Sequence, residues 1–425
     1  MLDINFIREN TELVKSACKK KRETDIVDEL LELDERRRSL QAKGDELRHK
    51  LKELSSQVGE AFREGNRERG EELKTEAGKL SGRIKELEAE EKSAFEEWEN
   101  LMLRIPNVPV REAPVGSEEN NKIIREHGEI RERDFQVRNH LDLGDLLDIL
   151  DMERGAKIAG SAFPVLKGDG ARMSRALVAL MLDVHRSAGF REIAPPFLAN
   201  REAMLGSAQL PKLEDDMYHL DREDLFLIPT SEVPVTNLHA GEILPEERLP
   251  VHYAAFSANF RREAGSYGAD TRGLLRVHQF DKVELVVFSH PERSWDEHEA
   301  LLNEAEEILK ILEIPYRVVL LATGDMSFAS AKVYVLEVWA PGEGKWLEVS
   351  SCSNFLDFQA RRADIRFRPE GGGKPEFVHT LNSSGVALPR LLAAIWENYQ
   401  TDRGTIEIPE ALAKYMNDQK EITME

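Results

Sequence analysis

Apolar residues recur at every seventh position between residues 25 and 104, and this spacing restricts the segment to one kind of structure. The first row consists of Leu33, Leu40, Leu47 and Leu54, and the second of Leu73, Leu80, Leu87, Ala94 and Leu101. Weaker companion rows are formed by Arg37, Gly44, Leu51 and Val58 and, with an interruption at Glu91, by Ala77, Ile84 and Trp98. Sustained heptads with charged flanks predict an α-helical coiled coil.

The two rows are separated by the stretch "GEAFREGNRERG", which contains Gly59, Gly65 and Gly70. Such a glycine-rich break predicts that the two helical limbs fold back on each other as an antiparallel hairpin. Each limb would be about 50 Å long at 1.5 Å per residue, so we expect an arm that projects into solvent. The second limb must end near Pro106, because proline is incompatible with a helix interior.

Composition limits the classes of protein to which the chain can belong. The 425 residues are 41% hydrophobic and 32% charged, which is typical of a soluble protein of two or three domains. No run of about 18 apolar residues occurs, and the N-terminal "MLDINFIREN" does not resemble a signal peptide. We therefore expect no membrane partner and a cytoplasmic location. Cys18 and Cys352 are the only cysteines, and they form no metal-binding pattern, so no zinc is expected.

Beyond a polar connector that reaches about residue 135, the pattern changes. The helical stretch "GARMSRALVALMLDVHRSAG" is followed by short β-rich runs: "DLFLIPT", "HQFDKVELVVFS", "PYRVVLLAT", "KVYVLEVWA" and "KWLEVSSCS". Strands and helices without a regular alternation predict an α+β fold built on a mainly antiparallel sheet flanked by helices. We therefore divide the chain into an N-terminal helical domain, residues 1–110, and a sheet-based domain, residues 111–425.

The stretch "FRREAGSYGADTRGLLRVHQF" gathers arginines in a chain whose formal net charge is −21, around a turn that contains Gly265, Gly268 and Thr271. The phosphate-binding glycine loops of common nucleotide folds are absent from the sequence, so arginine side chains would have to hold any phosphate. On a strand Arg261 and Glu263 would face the same side, and Arg276 would return on the strand predicted to follow Gly273. A hairpin of solvated arginines is the alternative that the residues alone leave open.

This stretch resembles motif 2 of the class II aminoacyl-tRNA synthetases, and in particular that of the seryl-tRNA synthetase family, over about residues 256–285. "ARMSRALVALMLDVHRSAGFREIAPPF" resembles motif 1, over about residues 171–197, and "LNSSGVALPRLLAAIWENYQ" resembles motif 3, over about residues 380–400. "IPTSEVPVTNLH" and "WLEVSSCSNFLDFQARR" resemble two further segments of the same family, in the same order. The resemblance implies a homodimer formed through motif 1.

The implied activity is the ATP-dependent ligation of L-serine to the 3′ end of tRNA(Ser), and also of tRNA(Sec), through a seryl-adenylate. ATP is then a substrate, and Mg²⁺ is the expected metal. In this family the helical arm binds tRNA. Between residues 25 and 104 the chain has 16 Lys and Arg against 22 Asp and Glu, a net charge of −6, so recognition by shape is expected. Arg63, Arg67 and Arg69 cluster at the arm's tip, and Lys19 to Arg22 lie near its base.

The resemblance also assigns site residues. Arg261 would bridge the serine carboxylate and the α-phosphate, Glu263 and Phe280 would hold adenine, and Arg276 and Arg390 the γ-phosphate, with Arg261 and Arg390 as the catalytic pair. The implied serine pocket consists of Thr230, Ser231, Glu232, Arg261, Glu284 and Ser384. The implied ATP site consists of Arg261, Arg262, Glu263, Arg276, Val277, His278, Gln279, Phe280, Glu348, Val349, Ser350, Ser351 and Arg390. The implied Mg²⁺ ligands are Glu348 and Ser351, whose oxygen atoms suit this ion.

Strand geometry provides one check on these assignments that does not depend on the family. Phe280 and Glu284 lie four residues apart in "HQFDKVEL", so they should face the same side of the predicted sheet. Their implied roles, at adenine and at the serine hydroxyl, require one shared face.

Six positions depart from the usual family pattern: Ala208, Ser383, Pro389, Val335, Ala258 and Ala322. Glycine is usual at the first three of them, and Pro389 removes a backbone donor next to Arg390. The departures leave two alternatives open. One is a paralogue that transfers serine to another acceptor, and the other is a coiled-coil scaffold that has kept an inactive synthetase domain.

Overall fold

The structure, a computed structural model, describes residues 1–264 and 272–424. Gly265, Gly268 and Thr271, which the sequence places in the turn of motif 2, lie outside the described residues. The chain divides into two compact units. The arm unit consists of Leu2–Lys19 and Glu23–Ile105, and the core unit consists of Met1, Lys20–Arg22 and Pro106–Glu425.

The described part of the chain contains twelve α-helices: α1 Ile4–Glu9, α2 Thr11–Lys20, α3 Val27–Arg63, α4 Arg67–Met102, α5 His140–Leu146, α6 Met152–Ala159, α7 Gly168–Ser187, α8 Arg201–Gly206, α9 Glu232–Thr236, α10 Ser294–Ile311, α11 Phe358–Ala363 and α12 Leu388–Asn398. None of these helices combines the length and the apolar composition that a bilayer-spanning segment needs.

Helices α3 and α4 form the predicted antiparallel coiled coil. Leu40, Leu87 and Ala94 are buried between the two helices, and Leu33 and Leu47 pack against them. These residues belong to the rows that repeat every seven positions, so the heptad pattern identified the buried seam correctly. The 37 residues of α3 correspond to about 55 Å of helix.

The turn between the limbs is shorter than the sequence indicates. It spans only residues 64–66, and Gly59 and Gly70 lie inside the helices. Gly65 has a φ of +80°, a left-handed conformation that glycine adopts without strain. Gly70 has a different purpose, since a Cβ atom there would approach the Phe62 ring to 2.8 Å. One glycine therefore makes the turn and another admits an aromatic ring between the helices.

The described residues form eighteen strands: β1 Lys122–His127, β2 Leu150–Asp151, β3 Val165–Leu166, β4 Arg191–Ile193, β5 Leu198–Asn200, β6 Tyr218–Leu220, β7 Leu225–Leu227, β8 Ile243–Pro245, β9 Val251–Phe260, β10 Gln279–Ser289, β11 Tyr316–Leu320, β12 Lys332–Ala340, β13 Lys345–Asn354, β14 Arg366–Arg368, β15 Glu376–Phe377, β16 His379–Ala387, β17 Ile406–Glu407 and β18 Glu421–Ile422. Eight of them form the central sheet, in the order β1-β11-β12-β13-β16-β10-β9-β4.

The pairing within this sheet confirms the predicted α+β fold. Neighbouring strands are antiparallel except β4 and β9, which are parallel. Helices α7, α10 and α12 share one hydrophobic core with the sheet, which they meet through Val283, Leu285 and Val287 of β10. Because side chains alternate along a strand, Phe280, Lys282 and Glu284 face the opposite side. The helices therefore cover one face of β10 and leave the other for the site.

Three local predictions were wrong. The segment taken as a polar connector contains β1, an edge strand that pairs with β11 and whose six residues are all exposed. An exposed strand lacks the apolar alternation by which strands are recognised. Strand β9 ends at Phe260, so Arg261 and Glu263 lie beyond it, and Glu263 has a φ of +51°. Strand β10 begins at Gln279, so Arg276 lies in the preceding turn and not on a strand.

Candidate active site

A pocket of about 640 Å³ lies in the core unit, against strands β10, β13 and β16. Its wall includes eleven of the residues that the sequence nominated: Arg261, Glu263, Arg276, Val277, Phe280, Glu348, Val349, Ser350, Ser351, Ser384 and Arg390. Five further residues that the sequence did not single out for the site also line it: Leu274, Leu275, Lys282, Ala387 and Pro389. Segments distant in sequence thus meet at one cavity that is rich in cationic side chains.

Arginines line the outer part of the pocket, and each is held by different neighbouring groups. The Arg261 guanidinium lies over the Phe280 ring, 5.2 Å from its centroid, and its Nε donates to the Pro229 carbonyl at 3.3 Å. Arg276 pairs with the Glu263 carboxylate, with 2.5 Å between Nε and Oε2. Arg261 and Glu263 therefore meet at the pocket as predicted, but through a loop and not through strand alternation.

Arg390 is held more rigidly, because two backbone carbonyls accept from its guanidinium. Its Nε donates to the Leu275 oxygen and its Nη1 to the Glu348 oxygen, both at 2.8 Å. Burial lowers the pKa of Arg390, and the nearby Glu348 carboxylate offsets part of that effect. Guanidinium groups nevertheless stay charged at neutral pH, so Arg390 presents a fixed positive charge to the pocket.

A bulge in β13 brings the two nominated metal ligands to the same pocket. Leu336 pairs with Ser350 and Glu337 with Glu348, so Val349 is an extra residue on β13. Residues three apart on a regular strand face opposite sides, and one inserted residue restores a common side. Glu348 and Ser351 consequently line one cavity. The Glu348 side chain still reaches solvent through the pocket, yet desolvation by the surrounding protein raises the pKa of its carboxyl.

Behind the pocket wall lies a compact, buried polar cluster that meets the pocket through Lys282. The Lys282 ammonium donates to Thr230 Oγ1 at 2.9 Å and forms an ion pair with Glu284 Oε2. The Thr230 hydroxyl also lies 3.4 Å from the same carboxylate oxygen. Within the described residues, Glu284 Oε1 is buried and accepts no hydrogen bond. One carboxylate oxygen is thus paired, and the other has no partner among the described atoms.

Glu232 lies beside this cluster and is held by two side-chain amides. Gln359 Nε2 donates to Glu232 Oε1 at 2.6 Å, and Asn382 Nδ2 donates to Oε2 at 2.8 Å. Burial raises the pKa of the Glu232 carboxyl to about 7, and repulsion from the Glu284 carboxylate adds to this effect. An arriving cation would therefore favour the ionised form of Glu232.

Seven nominated residues do not line the pocket. Three of them, Thr230, Glu232 and Glu284, belong to the buried cluster behind its wall, and the other four lie elsewhere. Ser231 is fully buried, and its hydroxyl lies 3.5 Å from the Ala255 carbonyl. Arg262 is exposed and donates its backbone N–H to Asp216, while the His278 ring packs on Phe163. Gln279 is exposed and lines a neighbouring cavity of about 900 Å³.

Three residues of the site were missed by the sequence analysis. Lys282 lies between Phe280 and Glu284 on the same strand, so strand alternation could have found it. Asn382 precedes Ser384 by two residues on β16 and faces the same side, which is a similar signal. Gln359 lies in the short helix α11, and no pattern in the sequence indicates it.

The unusual residues noted in the sequence have simple structural settings. Pro389 is in the first turn of α12, where backbone N–H groups have no intrahelical partner, so proline costs no hydrogen bond there. Ser383 pairs with Leu285 and Cys352 and thus faces away from the pocket. Val335 is buried in a small apolar cluster. Ala208 has a φ of +64°, so it carries strain that glycine would not. Nothing in the structure explains Ala258 or Ala322.

Comparison with known proteins assigns this architecture to a class. Residues 213–399 match the family model "tRNA synthetase class II core domain (G, H, P, S and T)". The core unit is therefore that of a class II aminoacyl-tRNA synthetase. Residues 1–109 match the family model "Seryl-tRNA synthetase N-terminal domain".

The chain is similar over its whole length to curated relatives. It is 50% identical to the serine–tRNA ligase of Thermomicrobium roseum over 424 residues, covering 99% of this chain and 95% of the relative. The crystal structure of seryl-tRNA synthetase from Pyrococcus horikoshii complexed with ATP superposes with a TM-score of 0.93, at 39% identity and full coverage of both chains. The crystal structure of the cytoplasmic serine–tRNA ligase from Naegleria fowleri in complex with AMP superposes with a TM-score of 0.88, at 31% identity, and the match covers 100% of this chain and 99% of the relative.

The chain belongs to the seryl-tRNA synthetase family. This result confirms the resemblance that the five motifs indicated. It does not support the alternatives of a specialised paralogue or a non-catalytic scaffold, because the whole chain matches serine–tRNA ligases without a lost segment.

Proposed function

We propose that the pocket joins L-serine to ATP and that the same site then passes serine to tRNA(Ser). The serine–tRNA ligase activity agrees with the family, and the roles of the individual residues are our proposal. The observation that carries it is that Lys282 lines the pocket together with three arginines and also bonds directly to the buried carboxylate cluster behind the pocket wall. In the first half-reaction the serine carboxylate attacks the α-phosphorus, and the bond to pyrophosphate breaks. In the second, the 3′-terminal hydroxyl of tRNA attacks the carbonyl, and AMP leaves.

Serine would bind at the buried end. The Glu232 carboxylate and the Thr230 hydroxyl receive its ammonium group, and Glu284 Oε1 accepts from its hydroxyl, with Ser384 alongside. Lys282 pairs with the other oxygen of Glu284, so that Oε1 stays directed at the ligand. A buried acceptor that alanine would leave unsatisfied is the kind of group that discriminates against an analogue lacking a hydroxyl.

ATP would bind at the arginine end. Arg261 packs over Phe280 and lies where it can meet both the serine carboxylate and the α-phosphate. Arg276 and Glu263 are 2.5 Å apart, although we assign one to the γ-phosphate and the other to adenine. Both roles can hold only if the triphosphate folds back toward the base. The fixed Arg390 then stabilises the negative charge of the departing pyrophosphate.

The donor set at Glu348 and Ser351 fits Mg²⁺, because a carboxylate and a hydroxyl supply the oxygen ligands that this ion prefers. The bulge at Val349 places both residues on the pocket wall. When bound, the ion would neutralise phosphate charge between ATP and the protein. In its absence, Glu348 is the group that would repel the triphosphate, and its raised pKa reduces that repulsion.

The test of this proposal is serine-dependent exchange of labelled pyrophosphate into ATP. We expect exchange with serine and much less with alanine, and charging of bulk tRNA with serine. Absence of exchange with any amino acid would overturn the proposal. Exchange without charging would retain the adenylate chemistry and reject tRNA as the acceptor.

The arm unit, within the proposed N-terminal domain of residues 1–110, would bind tRNA, including tRNA(Sec). The exposed Arg63, Arg67 and Arg69 flank the turn at the end of the hairpin, next to the half-exposed Phe62 ring. Arginines beside an aromatic ring suit an RNA backbone and its bases. The family also suggests a homodimer formed through motif 1, around α7 and β4, in the cytoplasm.

Replacing all three tip arginines by alanine separates the two half-reactions. Pyrophosphate exchange should keep its rate, because the proposed adenylate site lies in the core unit, while the kcat/KM for tRNA charging should fall. The matched control replaces Lys74, Lys79 and Lys85 on the limb. An equal loss in both variants would mean that overall charge, and not the tip, determines tRNA binding.

A further inference from the structure

A fully buried histidine, His140, lies outside the pocket wall at the start of α5. Its Nε2 accepts a hydrogen bond from the backbone N–H of Leu274 at 3.2 Å. Its Nδ1 lies 3.2 Å from Glu397 Oε1 and 3.3 Å from Glu343 Oε1. Because a backbone N–H can only donate, Nε2 must be the acceptor, and the ring proton is on Nδ1 facing the carboxylates.

This arrangement has the residue types of a metal site but not its chemistry. A metal bound at Nδ1 would move the ring proton to Nε2, where it would face the N–H of Leu274. Glu397 is also already occupied, since it accepts from the backbone N–H groups of His140, Gly342 and Glu343 at 2.8 to 3.2 Å. The cluster is therefore a hydrogen-bond relay that fixes the orientation of the imidazole ring.

The ring supports the segment of motif 2 that returns toward the pocket. Gly273 has a φ of +64°, and a Cβ atom there would lie 2.3 Å from His140 Nε2, so the backbone rests directly against the ring. Two residues later, the Leu275 carbonyl accepts from Arg390 Nε at 2.8 Å. The segment is thus held by His140 on one side and by Arg390 on the other, immediately before Arg276.

We propose that His140 is a positioning residue for ATP. It holds the backbone at Leu274, which places the Leu275 carbonyl against Arg390 and fixes the point from which Arg276 extends into the pocket. This inference rests on the proposed function, because that function assigns Arg276 and Arg390 to the γ-phosphate. It adds a residue that touches neither substrate and acts through the two arginines that would.

Two substitutions test the hydrogen bonds of the two ring nitrogens separately. His140→Gln places a side-chain oxygen near the position of Nε2, so it can still accept from Leu274 but loses the donor to Glu397. His140→Asn keeps a donor near Nδ1 and is too short to reach Leu274. Both variants lose half of the contacts of one buried side chain, so each serves as the stability control for the other.

The measurement is the Kd of Mg²⁺–ATP for the full-length parent and both variants, together with thermal unfolding. Loss of one hydrogen bond at the segment should weaken ATP binding about tenfold in His140→Asn and less than threefold in His140→Gln. Serine affinity should change less than twofold in both. Hydrogen exchange of the Leu274 amide should accelerate only in His140→Asn.

The proposal would be overturned if the loss of ATP affinity matched the drop in unfolding temperature and did not depend on whether the variant keeps an acceptor for the Leu274 N–H. His140 would then contribute packing alone. An equal loss of serine and ATP affinity would overturn it as well. Because the comparison is made on ATP binding, a parent that binds ATP but fails in serine-dependent exchange would reject the proposed function and leave this test intact.

Discussion

The proposed site has an inner end, the buried cluster around Lys282, and an outer end, the arginine-lined pocket, and the two ends differ in how they present charged groups. At the inner end, Thr230, Lys282 and Glu284 are 4%, 5% and 1% exposed, and their polar atoms bond to one another. At the outer end, Arg261 and Arg276 are exposed, and their charges are supported by an aromatic ring and by Glu263. On the proposed function, the inner end would recognise a ligand through one buried acceptor that lacks a partner among the described atoms, and the outer end through positive charge.

This difference in burial determines which end of the site can discriminate between ligands. A buried carboxylate without its partner costs the protein the full desolvation free energy, so a ligand that lacks the partner group is strongly disfavoured. An exposed arginine keeps its hydration when the ligand is wrong, so it contributes attraction with little discrimination. We therefore expect substitutions at the inner end to change which amino acid reacts, and those at the outer end to change mainly how tightly ATP binds.

Glu232→Gln should have the largest effect. Removing the carboxylate that pairs with the ammonium of serine should lower the kcat/KM for serine about a hundredfold to a thousandfold, measured by pyrophosphate exchange. The protein should become more stable at pH 8, by about 1–3 kcal/mol, because the ionised and buried Glu232 costs folding free energy above its raised pKa. The amide of Asn382, whose Oδ1 is buried and unpaired among the described atoms, can rotate to accept from the new glutamine.

The sign of this stability effect follows from the pKa of Glu232, which is about 7 in the folded protein against an ordinary value of 4.5 for a glutamate carboxyl. The native state binds the extra proton, so the parent loses stability as pH rises from 4.5 to 7. The gain of Glu232→Gln in unfolding temperature should accordingly vanish near pH 4.5. A gain independent of pH would show that ionisation of Glu232 is not its source.

Glu284→Ala should lower the kcat/KM for serine by about tenfold to a hundredfold, since a hydrogen bond to a charged group contributes about 1.5–3 kcal/mol. Activation of alanine should fall much less, because alanine makes no such contact. The measurement is kcat/KM for both amino acids in parent and variant. If both fell equally, Glu284 would be structural and the assigned hydroxyl pocket wrong.

The pH profile should distinguish the ammonium site from the hydroxyl site. As the Glu232 carboxyl is protonated below its pKa of about 7, the kcat/KM for serine should fall toward a tenfold loss per pH unit. Alanine should give the same profile, because it shares the ammonium but not the hydroxyl. A profile that is flat between about pH 6 and 8 would contradict the assignment of Glu232.

Arg276→Ala should raise the KM for ATP about tenfold at low salt and less at high salt, because its charge is exposed and screened. The KM for serine should not change. Arg262→Ala is the matched control, since Arg262 is an exposed neighbour that does not line the pocket. A change in amino-acid preference in Arg276→Ala would remove the contrast between the two ends.

Ala208→Gly should have the smallest effect, a stabilisation of about 0.5–1 kcal/mol through release of left-handed strain. Ala203→Gly, in the adjacent helix α8, is the control and should destabilise by a similar amount. Denaturant unfolding of both variants provides the comparison. Destabilisation by Ala208→Gly would mean that packing of its methyl group outweighs the strain.

What could be predicted from the sequence depended on how far each signal extends along the chain. Heptads repeat many times, so the buried residues Leu40, Leu87 and Ala94 were identified correctly. Strand alternation placed Phe280 and Glu284 on one face, and the same rule applied to Lys282 would have completed the cluster. The sequence could not indicate Gln359, because its contact with Glu232 joins residues 127 positions apart. Nor could it show that Arg261 reaches the pocket from a loop.

The bulge at Val349 has a consequence for how this site tolerates change in length. A second extra residue, Gly385 on β16, shifts the pairing between β16 and β10 just after Ser384. The strand register is thus shifted by one residue in two places, once between β12 and β13 and once between β10 and β16. Inserting a single residue between Glu348 and Ser351 would leave the strand almost as long as before. With one bulge and one more residue, the two side chains would nonetheless face opposite sides of the sheet, so the spacing of these residues is as much a part of the site as their identity.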